Sequence, residues 1–197
     1  MRIVGGENRG LRLAELGAGD EAARLRPTPD RVREALFNLL QNGREGDVVR
    51  GARVLDLFCG TGAMALEALS REAEAAVLVD DGRVAGRLAR ENVRRARREG
   101  QARLLVADAT RLPANAEAPF TLVLLDPPYG RGLGERALAS ARAGGWVALG
   151  AVVAWEEAGP MTAPEGFELL DRRRYGGTHL TLLRAAGRPD QDASGAP

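Results

Sequence analysis

The sequence predicts an α/β fold, a doubly wound and mostly parallel seven-stranded sheet that ends in an antiparallel C-terminal hairpin. Three observations carry this expectation. From residue 53 onward, short aliphatic runs alternate with segments of helical periodicity, the pattern of parallel strands joined by crossover helices. The run VLDLFCGTGAMALEAL, residues 54–69, passes from strand through a glycine turn into a helix. Two late extended segments flank Gly176-Gly177, which reads as a hairpin turn.

Taken in order, residues 2–16 pair RIVGG and LRLAEL across the turn-like ENRG, giving a small N-terminal β-hairpin. Thr28 reads as a helix N-cap, with Pro29 at the first helical position and Asp30 in the first turn, where the helix dipole favours an acid. Val32, Leu36, Leu39 and Leu40 follow at helical spacing, and Asn42-Gly43 ends the pattern. Strands are expected near 53–57, 75–79, 102–106, 120–125 and 146–154, with helices near 62–71, 82–99 and 133–143. The closing hairpin takes 167–174 and 178–184. This divides the chain into an N-terminal hairpin and helix extension (1–44), a main domain (45–184) and a polar, small-residue tail (185–197) expected to be disordered.

Composition excludes several classes of protein. The 28 basic residues are all arginine and nearly balance 27 acids, so a net charge of +1 selects no partner by itself. A single cysteine, Cys59, leaves no internal disulfide, and a single histidine, His179, leaves no zinc-ligand spacing, so no metal is expected. No stretch approaches the roughly 20 apolar residues of a membrane span, and MRIVGGENRG is too polar for a signal peptide. A cytoplasmic protein without membrane contact is expected.

The glycine turn is the first place where chemistry shows. Gly60 and Gly62 allow backbone N–H groups and a helix N-terminus to approach a ligand, and Asp80, at the end of the second strand, stands where ribose hydroxyls are held. Asp56, four residues before Gly60, decides between ligands. A further carboxylate would repel a pyrophosphate, whereas S-adenosylmethionine brings an ammonium and a sulfonium and no phosphate. Asp108, after the third strand, completes three acids at three consecutive strand ends, the edge where open α/β sheets bind ligands.

On these residues the chain resembles the Rossmann-like class I S-adenosylmethionine-dependent methyltransferases, whose nucleotide loop reads like DLFCGTG. The resemblance implies S-adenosyl-L-methionine as cofactor, with Asp56, Phe58, Gly60, Gly62, Asp80, Asp108 and Ala109 around it. The fourth strand then ends beside the transferable methyl, at LLDPPYG, residues 124–130. Class I enzymes that methylate exocyclic amines carry a motif there that Asp126-Pro127-Pro128-Tyr129 matches in full. An amine on a base is a poor nucleophile because its lone pair is delocalised into the ring. The Asp126 side chain and the Pro127 carbonyl can accept its two N–H bonds and turn the nitrogen toward the sulfonium. The prolines stiffen the turn, and the ring of Tyr129 can stack on the base.

The substrate is suggested further upstream. GGENRG and RPTPDRVREALFNLL closely resemble the bacterial ribosomal RNA guanine-N2 methyltransferase family called RsmD, and the likeness runs from about Arg2 to Arg184. The family often carries Ala and Ser where this chain has Cys59 and Thr61, and a polar residue where it has Gly82. The resemblance implies N2-methylation of the 16S ribosomal RNA guanine conventionally numbered 966, with the small ribosomal subunit as partner and a monomeric enzyme. Arg2, Arg9, Arg12, Arg24, Arg26, Arg31 and Arg33 concentrate positive charge ahead of the cofactor domain, as a surface gripping phosphates should. Arg9, Arg26, Thr28, Arg31, Arg33 and Pro128 are the expected substrate contacts, and Asp126, Pro127 and Tyr129 the catalytic set. Two other readings share these residues: an amino methyltransferase acting on DNA, and an RNA-binding assembly factor without catalysis.

Overall fold

The computed structural model describes residues 1–17 and 28–187. Helix α1 (Asp30–Asn42) precedes an alternating series: β1 (Arg53–Leu57), α2 (Ala63–Ser70), β2 (Ala75–Asp80), α3 (Arg83–Arg95), β3 (Ala102–Val106), β4 (Phe120–Leu125), α4 (Leu133–Ala143) and β5 (Val147–Glu157). The hairpin of β6 (Phe167–Tyr175) and β7 (Thr178–Ala185) closes it. The seven strands form one sheet in the order β3-β2-β1-β4-β5-β7-β6. The first five are parallel, and β7 runs antiparallel to both β5 and β6. The chain therefore leaves β1 toward one edge and returns at β4 toward the other, which makes the β1/β4 boundary the topological switch point.

Strand alternation sorts the core into two layers. Val54, Leu78, Leu122, Leu124, Val152 and Ala154 pack with α1 and α2, whereas Leu55, Leu57, Val79, Val123, Leu125, Val153 and Trp155 pack with α4. Every residue of α2 is buried, which a short AMALEALS helix tolerates because it lies inside the molecule rather than on it. Its outer cover is the N-terminal segment, whose Ile3 and Leu13 join the same core cluster as Leu36, Phe37 and Leu40 of α1.

That segment departs from expectation. The hairpin over 2–16 reduces to one antiparallel bridge, Arg2 with Arg12, supported by Ile3 N–H to Leu11 O (3.0 Å) and Gly10 N–H to Ile3 O (2.8 Å). Its backbone is satisfied by the main domain instead. Val4 and Gly5 N–H both donate to the buried Glu67 carboxylate at 2.8 Å. Asn8 N–H donates to Ser70 Oγ (2.8 Å), Ser70 Oγ donates to Gly5 O (2.6 Å), and Ala14 N–H donates to Asn92 Oδ1 (2.6 Å). Arg98, from the arginine run after α3, pairs with Glu7 and donates to Asn8 Oδ1. The glycine pair near the start is what permits this close docking. Gly6 has φ +71°, and a Cβ there would lie 1.8 Å from the Ser70 carbonyl oxygen. Gly6→Ala is therefore expected to destabilise the protein by about 2–4 kcal/mol, measured by urea unfolding; an unchanged midpoint would mean that the segment does not dock.

Three boundaries also differ. The helix expected over 82–99 stops at Arg95, because Arg97 takes a left-handed conformation (φ +56°) that ends the helical hydrogen bonding. The fifth strand runs to Glu157 rather than stopping near 154, held by its antiparallel pairing with β7 through Glu157 and His179. Ala185, assigned to a disordered tail, is the last residue of β7, and residues 188–197 lie outside the described part.

Candidate active site

Register brings the acids together. Asp56 lies level with Leu124 across β1 and β4, and Leu125 lies level with Trp155 across β4 and β5, so Asp126 and Glu156 emerge side by side. Counting by twos from Val54, Leu124 and Ala154 puts Asp56, Asp126 and Glu156 on the α1/α2 face, at the carboxyl ends of three adjacent strands. This is the crevice at the switch point.

Between β1 and α2 the chain turns sharply. Phe58, Gly60 and Gly62 all take positive φ (61°, 54° and 78°). The first is uncommon for a side chain of that size and costs about 1–3 kcal/mol, so the surrounding contacts must enforce it. Those contacts come from the acids. Asp80 Oδ2 accepts from Gly60 N–H (2.9 Å) and its Oδ1 from Gly82 N–H (2.8 Å), while Asp56 Oδ2 accepts from Ala65 N–H in the first turn of α2 (3.0 Å). Asn92 reinforces the loop from behind, donating to Thr61 O (2.9 Å). Asp56 is buried, and among the described residues no arginine pairs with it. Burial pushes its carboxyl up to about 7, against the Ala65 hydrogen bond, with Asp80 adding repulsion. Cys59 is buried in the same loop, and desolvation together with Asp56 and Asp80 raises its thiol, which leaves it a small packed side chain rather than a nucleophile.

After β4 the turn is held from both sides. Asp126 N–H lies 3.5 Å from Leu57 O, Pro127 is buried and Pro128 exposed. The Tyr129 hydroxyl donates to Glu156 Oε1 (2.9 Å), and Gly130 N–H donates to Glu157 Oε1 (3.0 Å). The ring of Tyr129 is half-buried. Thr28 Oγ1 lies 3.2 Å from both Asp126 Oδ2 and Glu156 Oε2. Burial raises the Asp126 carboxyl well above the usual range, and Glu156 raises it further; the Glu156 carboxyl is raised by burial as well.

Several expected roles are relocated. Thr28 is not the N-cap of α1: the cap position falls on Pro29 without a side-chain hydrogen bond, and the Thr28 hydroxyl, buried, points between two carboxylates. Arg33 is not a phosphate contact. It is fully buried, donating to Thr28 O (2.9 Å) and Asp30 Oδ1 (2.8 Å) and to the Arg2 carbonyl, so it fixes the segment that carries Thr28. Arg9 and Arg31 are exposed, as is Arg2 beside Asp30, while Arg24 and Arg26 lie outside the described residues. Asp108 is exposed and caps a single helical turn, its Oδ1 accepting from Thr110 N–H (2.8 Å) and Thr110 Oγ1 (2.7 Å). Those two bonds hold its carboxyl below the ordinary range, and Ala109 packs beneath it in the α4-side core. Trp146 and Trp155 are both core, the former stacked on Phe120 and donating to Pro113 O (2.7 Å).

Sequence reasoning missed Glu156, Glu157 and Asn92. All three are buried and hydrogen-bonded. The available signal was the pair of carboxylates directly continuing an apolar strand, where a solvated end would be the ordinary reading.

A doubly wound sheet with a glycine turn after β1 and an Asp-Pro-Pro-Tyr turn after β4 defines the class: the Rossmann-like methyltransferases. Solved structures agree. A putative methyltransferase, yhhF, from Escherichia coli is 33% identical with a TM-score of 0.77, covering 95% of this chain and 99% of that one. A putative methylase from Haemophilus influenzae is 25% identical with a TM-score of 0.72, covering 94% and 98%. The chain belongs to the RsmD family, whose model, described as conserved hypothetical protein 95, matches residues 1–184. A relative from Escherichia coli named ribosomal RNA small subunit methyltransferase D is 34% identical over 196 residues, 98% of this chain and 94% of that protein.

Proposed function

We propose that the protein methylates N2 of a guanine in 16S ribosomal RNA, the one conventionally numbered 966, with S-adenosylmethionine as methyl donor. The observation that carries the chemistry is the Asp126-Pro127-Pro128-Tyr129 turn set beside Asp56 at the switch point. The RNA reading is supported by the likeness, over nearly the whole chain, to a protein named for small-subunit ribosomal RNA methylation.

The residues present fit the donor. Burial pushes the Asp56 carboxyl up to about 7, and an ammonium beside it would relieve that cost. Asp80 uses one acceptor site on each oxygen for Gly60 and Gly82, leaving the others for ribose hydroxyls. Asp108 and Ala109 stand next along the sheet, toward the adenine end. S-adenosylmethionine, when bound, supplies the methyl on a sulfonium that leaves as a neutral thioether.

The chain supplies the rest. Asp126 and the Pro127 carbonyl accept from the guanine amine and aim its nitrogen, Tyr129 fixes the plane of the base, and the exposed Pro128 and Arg31 face the RNA, whereas Arg9, next to Asn8 at the C-terminal ends of α2 and α3, stands at the opposite end of the sheet from the crevice. A paired base cannot reach this crevice, so the guanine must be extruded. The test gives the purified protein labelled S-adenosylmethionine with small subunits, or naked RNA, from a strain lacking this enzyme. Label recovered as N2-methylguanine in 16S RNA supports the reading, and label confined to DNA or protein overturns it.

A further inference from the structure

The Thr28 hydroxyl has one proton and faces two carboxylates, at 3.2 Å from Asp126 Oδ2 and 3.2 Å from Glu156 Oε2. It can donate to only one of them. The other contact is attractive only when that carboxyl is protonated and donates to Oγ1. Glu156 Oε1, meanwhile, accepts from the Tyr129 hydroxyl. The geometry points to Thr28 and Glu156 as positioning residues that hold one shared proton with Asp126 and draw it onto Glu156 when a substrate amine donates to Asp126. The amine in this statement rests on the proposed function; the shared proton does not.

The surroundings favour one proton on the pair. Asp126 is faced by Asp56 from β1, Glu156 and Glu157 from β5, and Thr28 from the segment before α1, with the Tyr129 hydroxyl alongside. None of these brings a positive charge. Two ionised carboxylates bridged by one hydroxyl in a buried crevice repel each other, and a proton between them removes the conflict. With that proton on Glu156, the donors run in one direction. Glu156 donates to Thr28 Oγ1, Thr28 donates to Asp126 Oδ2, and Tyr129 donates to Glu156 Oε1. Asp126 is then a carboxylate whose other oxygen is open to an amine N–H. As the nitrogen lone pair forms the N–C bond, the C–S electron pair stays on sulfur and one amine proton passes to Asp126. Both carboxyls are then neutral, and one proton leaves to solvent.

The distinguishing variants are Glu156→Gln, which keeps an acceptor for Tyr129 but can neither ionise nor take a proton, Thr28→Val, which keeps the shape and removes the bridge, and Thr28→Ser, which keeps the hydroxyl. Single-turnover methyl transfer is followed across pH, together with carbon-13 carboxyl NMR of the ligand-free wild type. Glu156→Gln stands in for the protonated acid, its amide donating to Thr28 Oγ1, so the alkaline limb, where the wild type gives up the shared proton and leaves the hydroxyl between two carboxylates, is lost, while the acid limb stays within about half a pH unit. Thr28→Val slows transfer at least about tenfold with the KM for the methyl donor unchanged, and Thr28→Ser recovers it to within about threefold. A Glu156→Gln profile superimposed on wild type, or Thr28→Val as fast as wild type, overturns the proposal. The wild-type titration stands alone should a variant not fold: two carboxyls titrating as a coupled pair support the shared proton, and two independent titrations overturn it. A coupled pair in a protein that methylates no RNA sinks only the substrate reading, whereas independent titrations in a protein that methylates guanine sink only the shared proton.

Discussion

Ligand-free Asp56→Asn is expected to melt higher than the wild type and to bind S-adenosylmethionine at least about tenfold more weakly. The two effects have one cause. The folded Asp56 carboxyl sits at about 7, against roughly 3.9 in an unfolded chain. Because the folded state holds this proton more tightly, the group favours folding below pH 4 and works against it increasingly as pH rises from 4 to 7. At neutral pH the penalty is on the order of 2–4 kcal/mol, and asparagine, which still offers an oxygen to Ala65 N–H, escapes it. For a chain of this length a gain of about 2 kcal/mol raises Tm by roughly 4–8 °C. The same substitution removes the charge that would hold the ammonium of the methyl donor, a loss of about 1.5–3 kcal/mol. In the wild type, affinity should weaken below pH 7 by up to about tenfold per unit, since binding must then expel a proton, and Asp56→Asn should show no such slope. Differential scanning calorimetry and titration calorimetry read both effects. A lower Tm would mean that the buried carboxylate is not held at a cost, and unaltered affinity that Asp56 does not face the donor.

The second large effect is on the chemical step. Asp126→Ala is expected to lower the methyl-transfer rate by about 10²–10⁴ while leaving affinity for S-adenosylmethionine within about threefold. Under the proposed function the carboxylate faces the amine rather than the methyl donor, and its removal leaves the Thr28 hydroxyl free to donate to Glu156. Asp126→Asn should fall between the two, because its amide oxygen can accept the amine N–H but cannot take the departing proton. Single-turnover assays on the RNA substrate separate these variants. Transfer by Asp126→Ala at the wild-type rate would remove Asp126 from the catalytic set.

What was legible in the sequence was local. The Asp-Pro-Pro-Tyr turn and the glycine turn are contiguous, and each follows an apolar strand, so periodicity and turn chemistry suffice to place Asp126, Gly60 and Gly62. Glu156 was not legible, because its place opposite Asp126 depends on the pairing of β4 with β5, and that register shifts at a bulge between Phe120 and Leu122. Thr28 was misread for the opposite reason. Thr-Pro-Asp before an apolar helix is a sound capping pattern, and a tertiary contact took the hydroxyl instead. Arg33 did carry a signal: it precedes the buried Leu36, Phe37 and Leu40 by three, four and seven residues, which sets it on the inner face of α1. Reading every arginine there as surface ignored that spacing.

The docking of the N-terminal segment has a bearing on how the chain is made. Val4 and Gly5 find their acceptor on Glu67, and Ala14 finds its own on Asn92, at sequence separations of 63, 62 and 78. During synthesis these residues emerge several seconds before their partners, at rates of roughly 5–20 residues per second. The backbone groups of Val4 and Gly5 stay in water until α2 has left the exit tunnel, and that of Ala14 until α3 has. The cover over α2, and with it the anchoring of the glycine turn through Asn92, is thus a late, long-range closure, and the cofactor crevice is completed only after the middle of the chain has been translated.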